Sequence, residues 1–458
     1  MPKKYHIHPK ATPLEMDYIY KFKIVRGDNC INCGKCSKVC IYLAHKRSEA
    51  DPRIMADPNT AVCRNCFRCI QECPRGALEK SLDKGFVNTG GAYWKPDMLI
   101  SLYKQAEDGN VPVSGAGYRG PFTGTGFDSM WTDMSEIVRP TRDGIHGREY
   151  ISTSVDLGRK LNHLAFGAEG QLISKVPDTV DVSLPILFDM PAENLSSNIK
   201  LAMIKAATEL NTFVIMPVAD ITNEFEKHSG NIIPRLTAAE IDGHKDVLKN
   251  ARIVSVEYDA ALLKDFAGLK EKIKKISSAL TIIRIPASKD VEQTAVKLAH
   301  AGAEIIHITT DYRGQELNNP SGRHLKDIIR AVHLKLVEDQ IRDETTIIVS
   351  GGIGAAEHVA KAMLCGADLT AIDLPLLIGL GVRIFEEQEK YLVFPDGLAK
   401  IPTPIITQRM INLISAWHSQ ILEMMGAMGI REARRLRGES GRAIFFEEID
   451  KDTFGKLF

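Results

Sequence analysis

The chain has 458 residues, 44% hydrophobic and 25% charged, with 58 basic and 58 acidic side chains. That length allows two or three domains, and the composition is that of an ordinary globular protein. A formal net charge of zero gives no electrostatic footprint for nucleic acid or an anionic membrane, and no apolar run reaches the length of a membrane span.

The opening stretch, MPKKYHIHPKATPLEMD, lacks an apolar core segment, so no signal peptide is expected. Eight of the nine cysteines then fall in two runs of identical spacing. The first is Cys30, Cys33, Cys36 and Cys40. The second is Cys63, Cys66, Cys69 and Cys73, followed by Pro74. The repeat C-x2-C-x2-C-x3-C is the bacterial pattern for a pair of [4Fe–4S] clusters, in which three ligands come from one run and the fourth from the other. Cys30, Cys33, Cys36 and Cys73 are expected to hold one cluster. Cys63, Cys66, Cys69 and Cys40 are expected to hold the other. Zinc sites use separated cysteine pairs, and disulfide frameworks belong to small secreted domains, so both fit less well. Cys40 is followed by Ile41 where the second run has Pro74, which leaves the ligand set intact. Cys365 stands alone in an apolar helical stretch and reads as a packing residue. The clusters and the missing secretion signal suggest a cytoplasmic, low-oxygen setting.

The ferredoxin-like domain is assigned to residues 1–85. Between its runs, ADPRIMADPNTAV (50–62) is turn-rich and fits a hairpin or short helix. A connector follows over 86–180. Its segment GNVPVSGAGYRGPFTGTGF includes Gly124 and Gly126, two apart, but no strand precedes it and no amphipathic helix follows. It reads as an extended crossing segment rather than a nucleotide fingerprint. The polar stretch DMSEIVRPTRDGIHGREYIST reads as an irregular segment packed on a larger domain.

From about 181 to 400, short β-branched runs alternate with amphipathic stretches. The predicted strands are LPILFDM (184–190), FVIMPV (213–218), NIIPRL (231–236), RIVSVEY (252–258), TIIRIPA (281–287), EIIHITT (304–310), TTIIVSGG (345–352) and LTAIDLP (369–375). Helical spacing marks SSNIKLAMIKAATEL, AALLKDFAGLKEKIKKISSAL, DVEQTAVKLAHAG, SGRHLKDIIRAVHLKLVED and AAEHVAKAMLCG. The second unit, around TNEFEKHSG, has a short polar helix. Eight strand–helix units predict an α/β fold, a (β/α)8 TIM barrel behind a dicluster ferredoxin-like domain. A doubly wound sheet is the runner-up. A C-terminal helical extension is assigned to 401–458, with TQRMINLISAWHSQILEMMGAMG closing over the barrel. The arginine-rich REARRLRGESGR reads as a solvated face or a docking site for a partner subunit.

Barrels of this kind place a ligand phosphate at the loops after strands seven and eight. Strand seven ends in VSGGIG, where glycines let backbone N–H groups approach an anion ahead of a helix N-terminus. Ser350, Gly351 and Gly352 are therefore a candidate phosphate site. The alternative is a tight strand-to-helix turn with nothing bound.

The cysteine runs, GFDSMWTDMSEIVRPTRD, VSGGIGAAEHVAKAMLCGADLTAID and LISAWHSQILEMMGAMGIREARRLRG together resemble the FMN-binding domain of glutamate synthases. The similarity is greatest to the short archaeal type, with a ferredoxin domain in front. The resemblance implies FMN held by Ser350, Gly351, Gly352, Arg284, Ile372, Asp373 and the stretch Asp189, Met190, Pro191 and Ala192. Arg284 stands where the family has a lysine facing the flavin, and Asp373 where it has a small residue beside the phosphate. A carboxylate there repels a phosphate. The family's [3Fe–4S] cysteines are missing from LIGLGVRIFEEQEKYL. Its substrate segments are replaced by MPVADITNE, VEYDAAL and TTDYRGQEL, so glutamate synthesis is not expected.

Two readings follow. In one, two [4Fe–4S] clusters exchange electrons with FMN, converting single-electron flow into hydride-type chemistry. His307 and Asp311 then face the cavity as proton donors, or serve as hydrogen-bonded rim residues. In the other, the barrel is a degenerate scaffold in a larger redox complex. Both readings give the chain other redox subunits as partners.

Overall fold

The structure is a computed structural model that describes residues 5–12, 21–60, 62–110, 124–134, 150–161, 163–191, 193–319, 321–385 and 392–455. Most of GNVPVSGAGYRGPFTGTGF and of DMSEIVRPTRDGIHGREYIST lies outside the described residues.

The ferredoxin-like unit is framed by one antiparallel ribbon, β1 (Phe22–Arg26) against β2 (Leu78–Leu82), with Phe22 opposite Leu82. Two short helices, Lys35–Val39 and Arg68–Gln71, each carry the third cysteine of a run. The loop between the runs turns back on itself, with Arg47 bridging Met55 in antiparallel sense, so the hairpin reading is the one observed.

Three short strands flank the barrel in sequence: β3 (Met130–Thr132), β4 (Val155–Leu157) and β5 (Val180–Val182). The barrel strands are β6 (Ile186–Asp189), β7 (Val214–Pro217), β8 (Ile232–Leu236) and β9 (Ile253–Glu257). The other four are β10 (Leu280–Pro286), β11 (Ile305–Thr309), β12 (Thr346–Ser350) and β13 (Leu369–Ile372). All pairings are parallel, and β13 closes on β6 with Thr370 opposite Ile186. Each predicted strand is present within two or three residues of its expected ends. More than half of the strand residues are Ile, Val or Leu because helices cover the outside while side chains fill the inside. The doubly wound alternative is thereby excluded.

The helical layer is uneven. Regular helices follow β6 (Ser197–Glu209), β10 (Val291–His300), β11 (Leu325–Glu338) and β12 (Ala356–Cys365). After β7 the polar TNEFEKHSG stretch forms a 3-10 helix, Asn223–Asn231, lacking the apolar stripe a longer helix would bury. After β13 comes a short helix, Leu374–Gly379. The eighth place in the ring is taken by Thr403–Ala427, a 25-residue helix assigned above to the C-terminal extension. It packs against Ser197–Glu209 on one side and Ala356–Cys365 on the other. Its Arg409, fully buried, donates to the carbonyls of Gly379 and Thr12 at 2.9 and 2.6 Å.

The N-terminal mouth of the barrel is covered by the β4–β5 pair, where Thr346 Oγ1 donates to Gly158 O at 2.8 Å. The antiparallel pairs β14 (Arg383–Ile384) with β15 (Leu392–Val393), and β16 (Ala443–Phe445) with β3, complete the strands among the described residues. The ferredoxin-like unit meets the barrel through the Pro96–Asp108 helix. Lys21 pairs with Asp97 at 3.4 Å, and Arg64 with Glu107 at 2.6 Å. The arginine-rich tail is largely paired within the chain: Arg434 with Asp156 at 3.1 Å, and Arg437 with Asp368 at 3.3 Å.

Arg342 fixes the starts of β12 and β13. Its guanidinium reaches Asp368 Oδ2 at 2.8 Å and the carbonyls of Gly366 and Thr345 at 2.6 and 2.7 Å. Asp368 in turn accepts the Ile347 N–H at 2.8 Å. Breaking a buried pair strands a charge. Arg342→Ala should destabilise the barrel by about 3 kcal/mol, read as a lower urea midpoint. An unmoved midpoint would show that Arg437 alone suffices for Asp368.

Candidate functional site

The two cysteine loops are built alike. Each bends through two left-handed residues, Asn32 and Gly34 in the first (φ 56° and 74°) and Asn65 and Phe67 in the second (φ 53° and 60°). These bends curl three cysteines of each run around one centre. Asparagine tolerates the conformation, and its side chain fixes the loop. Asn32 Oδ1 accepts the Met55 N–H at 2.9 Å, while Asn65 exchanges two hydrogen bonds with the Phe22 backbone at 3.1 and 2.9 Å. Phenylalanine is strained there, and Phe67 is held by edge-to-face contact with Phe22, centroids 5.5 Å apart.

The fourth cysteines cross over. Cys30, Cys33, Cys36 and Cys73 line one cavity, together with Arg26, Met55, Pro74 and Leu78. Around Cys69, burial first and then the charges of Cys63, Cys66 and Cys40 push the thiol up to about 11. These are the two expected sets of four, and all eight thiols are free. The sulfurs also have donors: Ala44 N–H to Cys40 Sγ and Ala77 N–H to Cys73 Sγ, both 3.3 Å, and Asn65 Nδ2 to Cys63 Sγ at 3.5 Å. For Cys30, burial raises the thiol pKa but is outweighed by the Asn32 N–H and the Arg26 guanidinium. Four converging thiols, N–H donors at sulfur and a small apolar core of Ile24, Cys36, Met55, Cys69 and Leu78 suit a cubane cluster.

The C-terminal mouth of the barrel carries a charge network. Arg284 Nη1 lies 2.9 Å from Asp189 Oδ2, and its Nε 3.6 Å from Glu257 Oε1. Arg235 reaches the same two carboxylates at 3.5 and 3.7 Å. His307 is sealed from solvent, and burial, then Arg284 and Arg235, hold its pKa well below 6.5. It is therefore neutral. Nδ1 faces Arg284 Nη1 at 3.4 Å as an acceptor, which leaves Nε2–H to donate to Ser350 Oγ at 3.0 Å. Asp311 accepts the N–H groups of Arg313 and Gln315 at 2.8 and 2.7 Å, which closes its own loop. His307 is thus buried and uncharged, and Asp311 ties a turn.

Ser350, Gly351 and Gly352 form the expected strand-to-helix turn, with φ 102° and 66° at the glycines. The space beside them is filled. A Cβ on Gly351 would lie 2.1 Å from Thr310 Oγ1, and one on Gly352 would lie 2.7 Å from both Tyr93 Oη and Gly314 N. Tyr93 Oη donates to Gly352 O at 2.6 Å, and Trp94 Nε1 to Tyr312 O at 2.8 Å. The glycines here serve close packing of the chain on itself. Gly126 does likewise, since a Cβ there would run into the His324 ring. Met190, Pro191 and Ile372 are buried at the mouth, and Ala192 lies outside the described residues. Cys365 is buried against Met130, as a packing residue. Sequence reading missed Arg26, Tyr93, Arg235 and Glu257. The available signal was a charged residue at the end of an apolar strand, which Arg26, Arg235 and Glu257 all share.

Asp373 caps the Leu374–Gly379 helix, accepting the Leu374 N–H at 2.6 Å. Burial, and then the charges of Asp189 and Glu193, raise its pKa to about 6. The folded state therefore holds this proton more tightly than the unfolded chain. Its contribution favours folding most below the ordinary carboxylate range and is lost as the pH rises to about 6. Asp373→Asn keeps the acceptor and removes the charge. It should raise barrel stability at pH 7 by about 1–2 kcal/mol and leave it unchanged at pH 4 in urea titrations. Equal effects at both pH values would contradict this.

Residues 250–431 match a family model described as a conserved region in glutamate synthase, and residues 22–79 match one described as a 4Fe-4S dicluster domain. The archaeal-type glutamate synthase [NADPH] of Dehalococcoides mccartyi is 24% identical, over 90% of this chain and 92% of that protein. The archaeal glutamate synthase [NADPH] of Archaeoglobus fulgidus is 25% identical over 94% and 95%. The corresponding protein of Thermotoga maritima is 26% identical over 95% and 97%. A solved mutant flavocytochrome b2 with pyruvate bound superposes with a TM-score of 0.46 at 13% identity, over 70% of this chain and 78% of that one. The chain is a glutamate synthase-like protein with a 4Fe–4S ferredoxin domain ahead of its barrel.

Proposed function

We propose that this chain is an iron–sulfur oxidoreductase that holds two [4Fe–4S] clusters and exchanges single electrons with a redox partner protein. One cluster belongs to Cys30, Cys33, Cys36 and Cys73, and the other to Cys63, Cys66, Cys69 and Cys40. The observation that supports this is the separation of eight free thiols into two groups of four, each taking one member from the opposite run. Bound clusters supply one-electron chemistry without proton transfer. The residues around them exclude water on one side, through Ile24, Met55 and Leu78, and supply N–H donors to sulfur on the other.

The family of barrels makes FMN the second candidate cofactor, with Asp189 to Pro191, Arg284, Ser350 to Gly352, Ile372 and Asp373 as its contacts. At the phosphate end these residues do not fit. Tyr93, Thr310 and Gly314 fill the space beside the glycine turn, and Asp373 adds a carboxylate rather than a cation. At the ring end, Arg284 and Arg235 are already neutralised by Asp189 and Glu257. No step is therefore assigned to a flavin. The filled turn favours an electron-transfer component on a diverged scaffold, whereas the retained glycine pair favours a flavoprotein. Glutamate synthesis, the activity in the relatives' names, is not proposed, because MPVADITNE, VEYDAAL and TTDYRGQEL depart from that family's substrate segments.

Iron and flavin contents decide between these readings. Protein purified without oxygen should contain about eight iron atoms per chain, the requirement of two cubanes. FMN released on denaturation should be well below one per chain if the barrel is a scaffold, and close to one if it is a flavoprotein. Iron near four would overturn the ligand assignment. Cys73→Ser should cost the Cys30 set its cluster and leave about four iron atoms.

A further inference from the structure

The two cysteine sets differ in one respect that their matching loops hide. Arg26, the last residue of β1, projects into the cavity lined by Cys30, Cys33, Cys36 and Cys73. Its Nη1 lies 3.3 Å from Cys30 Sγ, and its Nη2 is anchored on Ala56 O at 2.8 Å. The third donor, Nε, is buried and finds no acceptor among the described residues. A guanidinium is charged at every accessible pH and accepts no hydrogen bonds. This arginine therefore has a cation fixed at one thiol and a buried N–H without an acceptor among the described residues.

The second set is served by neutral donors, the Asn65 amide at Cys63 and the Ala44 N–H at Cys40. Arg64, next to Cys63 in sequence, is turned to Glu107 at 2.6 Å. Lys80 stands over the rings of Phe22 and Phe67. Reduction adds one negative charge to a cluster. Hydrogen bonds and positive charge at its sulfurs stabilise that state and raise the potential.

We propose that Arg26 makes the cluster on Cys30, Cys33, Cys36 and Cys73 the more easily reduced of the two, so that it holds the electron when the pair carries one. This rests on the two-cluster reading above. The single electron passes from the Cys63 set to the Cys30 set, one being oxidised as the other is reduced, with no atom transferred. Through Arg64 and Glu107 the Cys63 loop is tied to the helix that joins the ferredoxin-like unit to the barrel. The electron thus rests on the set whose cavity is walled by ferredoxin residues alone.

The test is a redox titration of the full-length holoprotein with dithionite and mediators, followed by electron paramagnetic resonance, on wild type, Arg26→Gln and Arg26→Lys. The wild type should show two separate midpoints. In Arg26→Gln the upper midpoint should fall. At the wild-type upper midpoint its reduced-to-oxidised ratio should drop about tenfold, equivalent to about 59 mV for one electron, while the lower midpoint stays. Arg26→Lys should fall by less. Should Arg26→Gln lose iron, Arg26→Lys carries the test through that smaller fall. Coincident wild-type midpoints, a shift confined to the lower midpoint, or an upper midpoint unmoved in every iron-replete variant would overturn the proposal. Iron near four in the wild type would instead overturn the two-cluster reading on which it rests.

Discussion

A cubane cluster takes its four thiolates from several directions, and a single tight loop can supply three. Much of the N-terminal unit follows from this constraint. On the proposed two-cluster reading each run reaches across to the other for its fourth ligand, which requires the two loops to lie side by side in a fixed register. The β1–β2 ribbon sets that register, with Arg26 opposite Leu78 at the end nearest the cysteines. The left-handed turns at Asn32 and Gly34, and at Asn65 and Phe67, then curl each loop inward. Cys40 and Cys73 stand where the chain leaves each loop, each accepting an N–H from four residues on. The same crossing makes the unit cooperative, because loss of either loop removes a ligand from both sets.

The barrel behind it carries a self-neutralising charge network at its mouth. Four charged side chains, Asp189, Arg235, Glu257 and Arg284, neutralise one another at the strand ends, with His307 neutral beside them. A buried charge is tolerated when paired and hydrogen-bonded, and such a network has little charge left for a ligand. The connector after the ferredoxin-like unit sends Tyr93 onto the glycine turn and Trp94 onto the Tyr312 carbonyl. The barrel meets the N-terminal unit through the Pro96–Asp108 helix.

The elements legible in the sequence were those set by local pattern. The eight cysteines announced the two groups in which the thiols lie, because their spacing is a property of a short stretch of chain. The eight strands were equally plain, since strands covered on both faces read as β-branched runs. What could not be read depended on contacts between distant segments. The eighth helix of the ring comes from Thr403–Ala427, beyond the last strand, and nothing local tells a ring helix from an appended one. The filling of the Gly351–Gly352 turn by Tyr93 joins residues 259 apart. The complete burial of His307 was equally hidden, because residue type is visible in sequence and burial is not. Arg26 was overlooked because it belongs to a strand and precedes the motif, although it reaches the first ligand.

The central claim is the exchange of fourth ligands between the two cysteine runs. An iron-edge anomalous difference map from crystals of the anaerobically prepared holoprotein tests it directly. Two density peaks are expected. One is bounded by Cys30, Cys33, Cys36 and Cys73, and the other by Cys63, Cys66, Cys69 and Cys40. A single peak, or two peaks each bounded by the four cysteines of one contiguous run, would contradict it.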